Sequence, residues 1–295
     1  MAIVHYHQGH HKEALDYFEH ILALDPQHED ALLASARIIE EEDINHLNGV
    51  AFDRLARLVQ LGKDDATMYF SLAMLAAKAS KYDQARHLFE QAIERKQSFA
   101  EAHYNLGLLL VKEIEILNSN QYEKRHWNVQ LALMHLKKVL VINPRHDKSM
   151  LVLGDLYADE LQQVDTARMY YQMVIDRVQP NHLRARHNLC VLWNKQNDLD
   201  QAIGCFQRLQ QDLVRNSEHI DSIQTIELQI QVLIEARQTQ WAKQQTRNKL
   251  VKWPKRHYCL NESSHVNTNS AVETKYSKYF KNLMVSKQLS GMCLI

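Results

Sequence analysis

The sequence predicts an all-α fold, a solenoid of stacked antiparallel helix pairs, and three observations lead to it. Only 7 Gly and 4 Pro occur in 295 residues, too few turn formers for a sandwich or barrel of many short strands. With 45% hydrophobic and 24% charged residues, the chain is apolar enough to bury a core and too apolar to stay disordered. Third, an Ala followed four residues later by a large apolar residue, and three later by another, recurs six times, with steps of 37, 34, 47, 35 and 35 residues between the alanines. Near-constant periods of this size mark helical arrays, whereas an irregular bundle would not hold its small residues in phase.

Taken in order, the first unit carries Ala14, Phe18 and Ile21 and closes at Pro26. Ala14 lies so near Met1 that half of a first helix is missing, so the unit is expected to be incomplete and the chain to continue a longer one ahead of Met1. Ala51, Leu55 and Leu58 make the second unit, and Leu72-Ala73 with Ala85, Phe89 and Ala92 the third. The fourth has Leu106-Gly107, then Ala132, Leu136 and Val139, and closes at Pro144. The fifth has Leu153-Gly154, Ala167, Tyr171 and Val174, and closes at Pro180; the sixth has Leu189-Cys190, Ala202, Phe206 and Leu209. The small residue and the alanine belong where the two helices cross and nothing larger lets them approach. The Phe-type residue wedges into the neighbouring unit, and proline ends a second helix because it has no amide to continue it.

From small residue to alanine takes 12 residues in the third and sixth units and 13 in the fifth, but 25 in the fourth. About thirteen extra residues, near 113–130 and centred on Asn118 to Asn128, must lengthen that unit's helices or form a loop. Beyond the array, Ile223, Ile226, Ile230 and Leu233 recur at helical spacing and predict an amphipathic capping helix. From Lys243 onward ten Lys/Arg face only Glu262 and Glu273, a net of +8 against −8 for the preceding 242 residues. With Pro254 and no sustained period, this reads as a basic, mostly disordered tail. The division is thus 1–210 for about six repeat units, 211–242 for the cap and 243–295 for the tail.

Several function classes recede. Lys+Arg and Asp+Glu both total 35, so no global field recruits nucleic acid, and the tail reads as solvated charge. No apolar run reaches the length of a membrane span, and Met1 to His11 lacks the pattern of a signal peptide. Cys293 is third from the end, so a prenylation box is absent. Four cysteines without tight spacing make neither a disulfide framework nor a zinc site. Cys190 and Cys205 are expected to be buried small apolar residues on facing helices, a disulfide between them being the less favoured alternative. His5, His7, His10 and His11 lie at a short first helix and its turn and are expected to be solvated rather than metal-bound. No phosphate loop, nucleophile elbow or acid pair appears; neither catalytic residues, metal nor cofactor is expected.

The repeat resembles the tetratricopeptide repeat, which implies a right-handed superhelical solenoid whose first helices line a concave groove. Groove positions of that repeat fall here on Phe70, Met74, Tyr104, Leu108, Lys148, Leu151, Asp155, Arg184, His187 and Asn194. Apolar rings flanked by polar groups suit an extended or partly folded polypeptide; the alternative for Leu108 and Leu151 is packing against adjacent helices. The carboxylate clamp of chaperone-binding repeats would need Lys, Asn and Arg where Phe70, Met74 and Val152 stand, so that ligand is not expected.

The stretch from Gly154-Asp155-Leu156-Tyr157 through Asp165-Thr166-Ala167 to His187-Asn188-Leu189-Cys190-Val191 is similar to the C-terminal repeats of the transmembrane and tetratricopeptide-repeat (TMTC) family. That resemblance, over roughly residues 1 to 210, implies a membrane-embedded catalytic half ahead of Met1. In the family this half transfers mannose from dolichyl-phosphate mannose to Ser/Thr, chiefly of cadherin domains, and the repeats lie in the endoplasmic reticulum lumen. The insertion and the tail after Trp241 depart from the family pattern. The implied role is recognition of cadherin-type acceptors, with the membrane reached only through the missing N-terminal region. Asn261-Glu262-Ser263 is a sequon usable in such a compartment. A cytosolic scaffold that assembles complexes through the same groove is the alternative.

Overall fold

A computed structural model describes residues 1–118, 120–216 and 220–251, and the chain divides into two units, 1–237 and 238–295. The helices are α1 (Ala2–His7), α2 (His11–Leu24), α3 (Glu29–Glu41), α4 (Asn48–Gln60), α5 (Ala66–Lys78), α6 (Tyr82–Arg95), α7 (Ala100–Ile116), α8 (Tyr122–Ile142), α9 (Asp147–Asp159), α10 (Val164–Arg177), α11 (Leu183–Lys195), α12 (Leu199–Asn216) and α13 (Ile220–Val251). A single 3-10 turn, Asn45–Leu47, precedes α4, and the described residues contain no strand. In the first unit, α1 through α12 pair as six hairpins, each second helix packing on the next first helix in the manner of a tetratricopeptide solenoid.

The periodic residues sit where close packing needs them. Ala14, Ala51, Ala85, Ala132, Ala167 and Ala202 are all 0% exposed. Opposite them a side chain on Gly107 or Gly154 would collide: an added Cβ would lie 2.9 Å from Leu136 Cδ2 in the first case and 2.4 Å from Tyr171 Cε1 in the second. The wedges Phe18, Leu55, Phe89, Leu136, Tyr171 and Phe206 are none more than 2% exposed, and full burial of such side chains is worth about 1.5–3 kcal/mol each. Packing between neighbouring hairpins therefore replaces a single central core.

Chain reversals follow the same period. Gly9, Asp43, Ser80, Gln162 and Asn197 all have positive φ, from 48° to 77°, and each stands two or three residues past the end of a first helix. The left-handed turn frees the last amides to bond back to the helix: Ser80 N to Ala77 O at 2.9 Å and Asn197 N to Asn194 O at 2.9 Å. Pro26, Pro144 and Pro180 follow the ends of α2, α8 and α10 by two, two and three residues.

The fourth hairpin takes up its extra residues mainly as helix. Measured from Gly107 and Ala132 and set against α5 and α6, α7 gains four residues, α8 gains seven and the connecting loop two. The added turns are tied down. Arg125 donates to both Glu160 oxygens at 2.8 and 2.7 Å and to the Ile114 carbonyl at 3.2 Å. Asn128, 1% exposed, donates to Glu113 at 2.9 Å, and Glu113 also pairs with Arg86.

Two expectations need correction. The two cysteines of the last hairpin are not free buried thiols: Cys190 on α11 and Cys205 on α12 form a disulfide, with Cα atoms 5.4 Å apart. Cys190 holds the small crossing position, and the close approach that favours a small residue there also brings the facing backbone within bridging distance. The tail boundary also moves. Ile226, Ile230 and Leu233 of α13 pack into the apolar cluster of the last hairpin, but the helix runs past Lys243 to Val251. No Gly or Pro interrupts residues 220–251, and the next breaker is Pro254. Residues 252–295, including Asn261, lie outside the described residues.

Candidate functional site

The first helices α3, α5, α7, α9 and α11 stand side by side, and side chains bond directly between them. Lys78 of α5 reaches Asp43 just past α3 at 2.6 Å, and Lys195 of α11 pairs with Asp159 of α9. These links join residues 35 and 36 apart, so the repeat period reappears as a ladder of ion pairs. Both pairs are partly exposed and screened by solvent; they join α3 to α5 and α9 to α11. Ring contacts of Phe70 with Phe99 before α7 and of Tyr104 with His146 before α9 connect the remaining first helices.

The predicted groove residues divide into three groups on these helices. Phe70 is half-buried, its ring 5.9 Å from Phe89 and 5.1 Å from Phe99, so it belongs partly to the core. Met74 and Asn194 are also half-buried. Leu108 and Leu151 are buried, 8% and 3% exposed, and present little surface to a ligand. Lys148 is exposed. Tyr104, half-buried on α7, meets the edge of His146 on the next unit at 4.8 Å, and burial pushes its hydroxyl up to about 12, so it remains a neutral donor at all ordinary pH.

Asp155, Arg184 and His187 come together in a polar cluster between α9, α11 and α13. Asp155 Oδ1 accepts from the Tyr171 hydroxyl at 2.7 Å and from Asn188 Nδ2 at 2.9 Å, while its Oδ2 accepts from Arg184 at 2.7 Å. A carboxylate with three donors is strongly held, and the charge-assisted bonds exceed neutral ones in strength. His187 donates through Nε2 to Gln229 Oε1 at 3.0 Å and meets Phe206 edge-on at 5.4 Å. Burial lowers its pKa, so it stays neutral. Both Asp155 oxygens are thus occupied by donors from α10 and α11.

The structure gives other histidines work that the sequence reading missed. His28, His146 and His182 cap the first turns of α3, α9 and α11, their Nδ1 atoms accepting from Ala31 N at 3.3 Å, Ser149 N at 3.1 Å and Ala185 N at 3.3 Å. The available signal was Pro-x-His, repeated at Pro26/His28, Pro144/His146 and Pro180/His182, which ends one helix and caps the next. His103 and His135 meet through their Nδ1 atoms at 2.9 Å. Because His103 Nε2 donates to the Gln97 carbonyl at 3.1 Å, its Nδ1 accepts and His135 donates. Burial lowers both, His135 to about 4. Among the described residues no three His, Cys, Asp or Glu are grouped to hold a metal ion, and no helix is long and apolar enough to cross a membrane.

Comparison with known proteins agrees with this architecture. The tetratricopeptide-repeat family matches residues 1–28, 51–113 and 148–182. The chain is 30% identical over 161 residues to protein O-mannosyl-transferase Tmtc3 of Drosophila melanogaster, covering 55% of this chain and 16% of that one. It is 29% identical over 206 residues to protein O-mannosyl-transferase TMTC3 of Homo sapiens, covering 70% of this chain and 21% of the relative. It therefore spans only about a fifth or less of those relatives' length. Among solved structures, the C-terminal part of a TPR repeat-containing protein from Cytophaga hutchinsonii superposes with a TM-score of 0.57 at 15% identity, over 77% of this chain and 87% of the other. Helix order, crossing residues and family matches agree: the chain carries tetratricopeptide repeats and is similar over them to the TMTC3 protein O-mannosyl-transferases.

Proposed function

We propose that the first-helix face of residues 1–210 docks an extended or partly folded polypeptide and holds it for O-mannosyl transfer carried out on polypeptide outside this sequence. Cadherin-type domains are the acceptors in this reading, and the endoplasmic reticulum lumen is the site. The observation that carries it is the run of half-buried Phe70, Met74, Tyr104, Asp155, Arg184, His187 and Asn194 on consecutive first helices. Aromatic rings beside fixed hydrogen-bonding groups suit an extended segment, with net charge secondary. Docking would raise the local concentration of acceptor hydroxyls, which is how a binding module contributes to a reaction it does not perform.

The Cys190–Cys205 disulfide supports the lumenal reading, because such bonds persist in oxidising compartments and are rare in the cytosol. The similarity to protein O-mannosyl-transferases supports the same assignment. Phe70→Ala combined with Tyr104→Ala tests the groove: a double mutant with wild-type helical content should lose at least about tenfold in affinity for a calcium-free, unfolded cadherin domain. Unchanged binding by the folded mutant refutes the groove. Protease protection of the chain in sealed microsomes tests the compartment, and a chain free in the cytosol would favour the scaffold alternative.

A further inference from the structure

His146 stands where two parts of the proposed groove meet. It is half-buried in the turn before α9, and its Nδ1 accepts from Ser149 N at 3.1 Å, capping the first turn of the helix that carries Lys148 and Leu151. Its ring also lies edge-on to Tyr104 of α7, with centroids 4.8 Å apart. One side chain thus ties the first turn of α9 to a groove residue of the preceding unit. Because Nδ1 accepts, the neutral ring carries its hydrogen on Nε2, and an added proton can enter only at Nδ1. A protonated His146 therefore cannot keep the cap, and the positive end of the helix dipole opposes the new charge.

We propose, building on the docking reading above, that His146 is a pH-sensitive catch on the groove: when its ring takes up a proton, the first turn of α9 opens, the contact with Tyr104 is lost and docked polypeptide is released. The charged groups around the ring are Asp147 and Lys148 on α9, Glu101 on α7 and exposed Arg145 beside it in the turn. Asp147 is shared with His182 before α11, 3.5 Å away. Burial lowers the His146 pKa below the ordinary 6.5, with Lys148 acting in the same sense and Asp147 and Glu101 in the opposite one. Freed from the cap and its burial, the ring regains its ordinary affinity for protons. Protons therefore bind the open turn better than the capped one, so the catch is closed above about pH 6.5 and gives way as pH falls. Loss of a side-chain cap shifts the share of closed turn about fivefold.

The test uses the full chain, with a calcium-free, unfolded cadherin domain as the bound polypeptide. Between about pH 7.5 and about pH 5 the affinity of the wild-type chain should fall about fivefold, while His146→Asn, whose amide caps a helix without titrating, should change less than about twofold. His182→Asn is the control: it replaces a cap of the same kind whose ring faces Asp147, and it should keep the wild-type fall. Amide exchange of Ser149 without the domain reads the catch itself. Its protection should drop about fivefold over the same range in the wild type and hold in His146→Asn. Equal pH dependence of affinity in the wild type and His146→Asn overturns the proposal, as does protection at Ser149 that does not change with pH. A chain that fails to bind at about pH 7.5 while Ser149 still loses protection on acidification overturns the docking reading, and release with it.

Discussion

Gly154→Ala tests the close crossing of helices on which the stack depends. The new methyl would lie 2.4 Å from Tyr171 Cε1 and 2.8 Å from Cδ1 and Cζ. The ring cannot easily retreat, because Tyr171 is 2% exposed and its hydroxyl is held by Asp155 at 2.7 Å. Overpacking of this kind costs about 1–3 kcal/mol, while replacing a mid-helix Gly by Ala returns about 1 kcal/mol of helix propensity. The net expectation is a loss of up to about 2 kcal/mol, or up to about 8 °C in Tm for an array of this size. Gly204→Ala is the matched control: it lies inside α12 with no atom within 4 Å of the added Cβ, so only the propensity gain applies and stability should rise by up to about 1 kcal/mol. Urea and thermal unfolding followed by helical circular dichroism would measure both. If Gly154→Ala matches or exceeds Gly204→Ala, the helices do not cross where the glycine lies.

Changing Cys190 and Cys205 together to Ala removes a link across 15 residues of sequence and should cost about 3 kcal/mol on the loop-entropy account, read as early urea unfolding of the last hairpin; an unmoved midpoint would contradict the bridge. Acidification should also destabilise the array. The depressed pKa of His135, about 4 in the folded chain, lets the unfolded chain take up a proton that the folded one excludes, so stability present above about pH 6.5 is lost as pH falls toward 4. Because His135 is only partly buried, its share after solvent screening is about 1–2 kcal/mol. His135→Gln should flatten the stability profile over that window, and an unchanged profile would show that the pair stays solvated. Phe89, 0% exposed between stacked units, should lose about 3–5 kcal/mol on change to Ala. Phe89→Asp should collapse the helical signal beyond its own hairpin, since an unpaired carboxylate would be buried there; a normal melt would mean that the repeat register is misassigned.

What could be read in the sequence follows from the physics of each position. Ala85, Phe89 and Gly154 are fixed by steric fit, which restricts residue type, so the hairpins and their register were visible as a period. The insertion was visible as a changed spacing, but its division into four residues of α7, seven of α8 and a slightly longer loop depends on Arg125 and Asn128 finding Glu160 and Glu113. Those partners come from other helices and leave no periodic trace. The disulfide was obscure because Cys190 satisfies the small-residue rule without any bond. The left-handed turns at Asp43, Ser80, Gln162 and Asn197 were obscure because they use four different residue types in place of glycine. At the candidate site, the row from Phe70 to Asn194 could be marked from repeat positions alone. That Leu108 and Leu151 turn inward while Asp155 gathers Tyr171, Asn188 and Arg184 requires the neighbouring units.

Amide hydrogen exchange on the full chain, with and without a calcium-free, unfolded cadherin domain, tests the docking claim most directly. Exchange should slow on the side-chain-bearing turns of α5, α7, α9 and α11 around Phe70, Tyr104, Asp155 and His187, and remain unchanged on α4, α6 and α10. Protection confined to the second helices, or no protection at saturating domain, would contradict a polypeptide-binding first-helix face.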